Sequence, residues 1–213
     1  MANYELGILG SFSGLVGPVV GATFRGKNVM RSRPRKSKRK ATSQQLAQRL
    51  RFAAVTHFLT PAKDILSEYF GTPFDAKSRY NLATSYHLQE AVEVDGDSAE
   101  ILYGRALFSR GSLLPPQNLE AAMEAGGVLA IEWIDNSEEG SAKATDKLLV
   151  VLYNPETSSY QFFMDAGKRG DANATITLPG YLAGARVHGW AFMASENDLL
   201  KSTSQYLGEL TVL

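Results

Sequence analysis

The chain has 213 residues, 44% of them hydrophobic and 21% charged, a composition that excludes collagen-like, disordered and pure coiled-coil chains. It has no cysteine, which excludes disulfides, thiolate metal sites, iron–sulfur clusters and cysteine nucleophiles together, and its three histidines leave little for a catalytic or metal centre. The net charge of zero hides a segregation: residues 1–63 hold one acid, Glu5, against 12 bases, whereas residues 64–213 hold 21 acids against 10 bases. Either the halves attract each other or the basic half faces an anionic partner.

The uncharged run Leu6 to Phe24 is broken by five glycines and Pro18, so it does not read as a membrane span. The start Met1-Ala2-Asn3-Tyr4-Glu5 lacks the basic region of a signal peptide, and the expected location is the cytoplasm, with no membrane partner. Glycines at 7, 10, 14, 17, 21 and 26 disfavour a helix at about 1 kcal/mol each, so residues 6–32 read as short extended pieces. A hairpin is expected to turn at Arg25-Gly26-Lys27-Asn28, with the valines and Phe24 buried. Arg31 to Lys40, RSRPRKSKRK, is expected to be an extended, self-repelling basic arm.

Thr42-Ser43-Gln44-Gln45 reads as a capping box, followed by a helix with Leu46, Leu50, Ala53, Ala54 and Phe58 on its apolar stripe. A second helix is expected near Pro61, capped by Thr60, burying Ile65, Leu66, Tyr69 and Phe70 before Gly71 and Pro73 end it. A third is expected from Asp75, carrying Leu82, Ala83, Tyr86 and Val92, and closed by Asp95-Gly96-Asp97. Beyond residue 98 the period changes. Strand-length apolar runs occupy 101–108, 128–134, 148–153, 160–164, 175–178, 186–193 and 205–213, separated by turn clusters. The expected architecture is α+β: a glycine-rich hairpin, basic arm and helices in residues 1–98, and an immunoglobulin-like antiparallel sandwich in 99–213.

Two resemblances accompany this reading. Trp133 on the second expected strand, and Leu178-Pro179-Gly180 before the sixth, resemble a fibronectin type III sandwich, although the usual tyrosine early in the sixth strand is out of register, with only Tyr181 nearby. The whole chain resembles a bacterial family of unknown function. Its glycine-rich opening is matched by Leu9-Gly10, Phe12, Ser13-Gly14, Val16-Gly17, Val19-Val20-Gly21, Phe24 and Gly26-Lys27, then Arg31, Arg33-Pro34 and a helix from Gln44 to Phe52. Tyr80-Asn81 and the later sandwich strands fit the same layout. That resemblance brings no activity or catalytic residue with it.

Several motifs carry chemistry only in part. Gly21 to Asn28 approaches a phosphate loop, but Asn28 stands where the magnesium-binding hydroxyl belongs and no helix is expected to follow. His57, His87 and His188 show no metal spacing and read as structural. No G-x-S-x-G elbow occurs, Asp95-Gly96-Asp97 is too short for a calcium loop, and Arg169-Gly170-Asp171 and Asn173-Ala174-Thr175 read as turn residues. The candidate contacts for an anion or partner are therefore Arg31, Arg33, Arg35, Lys36, Lys38, Arg39 and Lys40, extended by Arg49 and Arg51 on the first helix. The expectation is a non-enzymatic structural or interaction protein without cofactor, metal or small-molecule substrate. Its partner is expected to be a protein or assembly, with nonspecific nucleic-acid binding as the alternative; no aromatic residue interleaves the basic run to support sequence-specific readout.

Overall fold

The computed structural model describes residues 2–3, 12–24, 26–35, 40–74 and 77–213. The glycine-rich segment forms strands, as its composition demands: β1 (Ala2–Asn3), β2 (Gly14–Val16), β3 (Val19–Phe24) and β4 (Lys27–Ser32). They make one antiparallel sheet in the order β1-β4-β3-β2. Phe24 pairs with Lys27, so the second hairpin turns through Gly26 at φ +76°, two residues tighter than expected; Arg25 lies outside the described residues. Gly21 is irreplaceable for a different reason. A Cβ there would lie 2.4 Å from the Phe12 carbonyl oxygen and 2.6 Å from its ring, so Phe12 closes over bare backbone. The expected burial does not follow: Leu15, Val16 and Phe24 are exposed, and among the described strand residues only Gly21 and Val29 are buried.

The basic arm also starts later than expected. Arg31 and Ser32 belong to β4, and the Arg33 amide donates to the Pro18 carbonyl at 2.8 Å, so these three continue the hairpin. Leu9-Gly10, Lys36, Lys38, Arg39 and Asp75 lie outside the described residues.

Three helices follow: α1 (Ser43–Leu59), α2 (Lys63–Tyr69) and α3 (Arg79–Glu90). In α1 the expected stripe is rotated. Leu46 and Ala53 are exposed, whereas Phe58 is buried as expected and is joined by Val55 and Leu59, because only the second half of the helix joins the core. Helix α2 buries Ile65, Leu66 and Tyr69 as expected, and starts after Ala62, while the Thr60 hydroxyl donates to the Thr56 carbonyl and is no cap. Helix α3 is capped by Ser78, whose hydroxyl accepts from the Asn81 amide. Val92 belongs to the following hairpin, β5 (Val92–Asp95) and β6 (Ser98–Ile101).

The sandwich is built from β7 (Gln117–Glu124), β8 (Val128–Ile134), β9 (Lys147–Asn154), β10 (Ser159–Lys168), β11 (Asn173–Thr177), β12 (Arg186–Ala194) and β13 (Gln205–Thr211). One sheet runs β11-β8-β7 and the other β10-β9-β12-β13, all antiparallel. Three strands facing four, with the fourth strand beside the third, is the immunoglobulin and fibronectin III arrangement. The expected run 101–108 is not a strand: Ile101 ends β6 and Tyr103–Arg105 form a 3₁₀ turn. Its place is taken by β7, where no strand was expected.

Two cores result. Leu129, Ile131, Trp133, Leu148, Val150, Leu152, Ile176 and Met193 fill the space between the sheets, with Trp133 buried there as expected. On the other side of β9 and β12, Leu149, Val151, Tyr153, Trp190 and Phe192 pack under Val55, Phe58, Leu59, Leu66 and Phe70 of the helical layer. The helices therefore share a core with the sandwich, and the compact units are 1–42 and 43–213. A division at residue 98 would cut through that shared core.

Candidate partner-docking surface

The candidate contacts divide when placed on these elements. Arg31, on β4 opposite Val20, and Arg33, Arg35 and Lys40 beyond it are all exposed. Arg33 and Arg35 line one cleft of about 980 Å³ with Pro18, Ser32 and Pro34. Lys36, Lys38 and Arg39 lie outside the described residues. Arg49 and Arg51 are exposed on α1 but two positions apart, so they do not share a face. Arg51 instead joins Arg105, Glu90, Glu93, Tyr103 and Tyr206 around a cleft of about 690 Å³. Among the described residues, ion pairs join Lys147 to Asp198, Arg169 to Asp146 and Arg186 to Glu209, and none involves a candidate contact.

Lys27 opens a strand, so the residues resembling a phosphate loop form a hairpin with no helix to receive a phosphate. His57 is exposed on α1, against its expected structural role. His87 does have that role: fully buried, its Nδ1 lies 2.8 Å from the Ala83 carbonyl and its Nε2 accepts from the Leu107 amide at 3.3 Å. Nδ1 therefore carries the proton, and burial pushes the pKa down to about 4. His188 stacks on Tyr103 at 3.9 Å and bonds the Tyr206 hydroxyl at 2.7 Å, and its burial also lowers its pKa.

Arg169 is not the plain turn residue expected of an Arg-Gly-Asp tripeptide. Its side chain is fully buried and pairs with Asp146 at 3.0 Å, Asn136 Oδ1 and the Leu114 carbonyl, and its own carbonyl accepts from Trp133 Nε1 at 2.8 Å. The tripeptide therefore cannot offer its arginine to a receptor. A second polar cluster gave no motif: Lys147 pairs with Asp198, the Tyr69 hydroxyl faces the same carboxylate at 3.5 Å, and Lys201 donates to the Glu68 carbonyl over the Tyr69 ring. Burial, then the Asp198 charge, pushes Tyr69 up to about 12. These bonds fix the 195–201 loop on α2, and only their tertiary placement reveals them.

Among the described residues, no helix is long and apolar enough to cross a membrane, and no three His, Asp or Glu side chains converge as metal ligands. The outcome is an α+β protein in which a sandwich of immunoglobulin type carries a helical layer, with a glycine-rich basic sheet before it. The chain belongs to DUF6266, a family of unknown function whose model matches residues 11–208. It is also similar to a solved structure, the fn3 domain of the human collagen alpha-1(XX) chain, at 14% identity and a TM-score of 0.34, covering 49% of this chain and 88% of that one. No curated protein sequence matches it.

Proposed function

We propose that this is a non-enzymatic interaction protein of structural type, acting in the cytoplasm, whose N-terminal unit attaches it to an anionic protein surface. The observation that supports this is the economy of that unit. Among the described residues its sheet buries Gly21 and Val29 and exposes Leu15, Val16, Phe24, Lys27 and Arg31, and Arg33 and Arg35 beyond it are exposed too. Residues 1–42 hold nine bases and the single acid Glu5, so an acidic surface is the chemistry they complement. So short a segment buries too little apolar surface to be stable by itself, which makes contact with a partner part of its stability.

The test is titration of the full chain with labelled poly-L-glutamate and with duplex DNA, in low and high salt. A second protein carries glutamine at Arg31, Arg33, Arg35, Lys36, Lys38, Arg39 and Lys40. The proposal expects salt-sensitive binding to polyglutamate that is lost in the variant, with the melting temperature unchanged. Binding confined to DNA replaces it with the nucleic-acid reading, and binding indifferent to the seven changes overturns it.

A further inference from the structure

We infer that the outer face of the β7-β8-β11 sheet is where the basic N-terminal segment of a second copy of this chain docks. The inference rests on the docking role proposed above and names the partner. Leu129, Ile131, Trp133, Ala174 and Ile176 point inward, so the alternate residues form an open face. Read across the strands, its rows are Glu120, Glu132 and Asn173; Ala122, Ala130 and Thr175; and Glu124, Val128 and Thr177. Ile134, half exposed, continues it.

Two features mark this face as a surface awaiting a cationic cover. Glu120 and Glu132 stand directly opposite each other across two strands, an arrangement that destabilises a sheet unless a cation lies over it. No Lys or Arg occurs between Arg110 and Lys143, a stretch that holds Glu120, Glu124, Glu132, Asp135, Glu138 and Glu139. Among the described residues, Glu120, Glu124 and Glu132 have no ion-pair partner.

The charge balance matches this occupant. Residues 1–42 carry nine bases and one acid, and residues 43–213 carry 13 bases and 21 acids, so the two parts hold equal and opposite charge. A second copy supplies the matching surface in equal amount. The small residues Ala122, Ala130 and Thr175 leave the face flat enough for an extended basic segment to lie along it. Because the surfaces differ, the contact is head-to-tail and propagates from copy to copy. Three strands about 4.8 Å apart, averaging about seven residues at about 3.4 Å each, make a face of roughly 350 Å², less than half the ~800 Å² per partner of a stable interface. The contact is therefore weak, reversible and sensitive to salt.

Sedimentation velocity of the full chain tests this with two variants, Glu120→Gln/Glu124→Gln/Glu132→Gln and the seven-glutamine arm. Wild-type protein is expected to grow in mass with concentration in low salt and to be monomeric in high salt. Each variant alone is expected to be monomeric. Mixed, they are expected to form a one-to-one dimer that grows no further, because one keeps only the face and the other only the arm. The three glutamates are exposed and the change relieves the Glu120–Glu132 repulsion, so melting of the first variant no lower than that of the wild type shows that the lost assembly reflects the face. Assembly that survives the triple change overturns the inference. A wild type that stays monomeric but still binds poly-L-glutamate overturns the second copy as partner and leaves the docking role standing; one that does neither overturns both.

Discussion

The two ring nitrogens of His87 satisfy one backbone carbonyl and one backbone amide, and they do so only in the neutral form. Its pKa of about 4 lies below the unfolded value of about 6.5, so the unfolded chain takes up the proton first as pH falls. Stability from this residue is complete above pH ~6.5 and is lost as pH falls towards 4, by a total of about 3 kcal/mol. Urea unfolding across that range checks it, and His87→Leu is expected to flatten the slope. Arg169 sets a second residue-scale test. Arg169→Ala leaves Asp146 charged and buried and is expected to cost about 3–5 kcal/mol in denaturant unfolding, whereas an accessible turn residue would cost almost nothing. The role of Arg169 was not legible in the sequence, and the structural role that His87 fulfils was expected equally of the exposed His57. A histidine beside an apolar stripe looks alike at 57 and 87, and only the approach of residue 107 to the helix separates them.

Strand β9 carries the signal of a third layer in its own sequence. Leu148 to Tyr153 is continuously apolar rather than alternating, the pattern of a strand covered on both faces, and β12 repeats it with Trp190 and Phe192 behind Ala191 and Met193. Those runs announce a third layer, the helices, and with it a unit that begins at Ser43 instead of residue 99. Strand β7 was illegible for the opposite reason. Its residues, QNLEAAME, are strong helix formers, and pairing with β8 overrides that preference, with Asn118 at φ 48° where the register slips. The tight alternation of β8 and the turn before β12 were readable, because one face of each position decides its residue. Phe58, on α1, tests the shared core. Phe58→Ala is expected to lower stability by about 3–5 kcal/mol and to shift helix and strand signals together in circular dichroism. Two separated transitions would contradict the common core.

At the scale of the whole molecule, charge is what the sequence made most visible, and its meaning is what the structure changed. The basic run was readable from Arg31 to Lys40, yet its first residues continue a hairpin, and Arg49 and Arg51 point apart on α1. What lies beside the run is a sheet that buries only Gly21 and Val29 among its described residues, next in sequence to a unit with two filled cores. In the function proposed above, the first of these is a contact element and the second a scaffold. Amide hydrogen exchange of the full chain in low and high salt tests this most directly. Amides of β8, β9 and β12 are expected to be protected under all conditions, and those of β3 and β4 to exchange fast in high salt and to gain protection with protein concentration in low salt. Protection of β3 and β4 equal to that of β9, independent of salt and concentration, would contradict it.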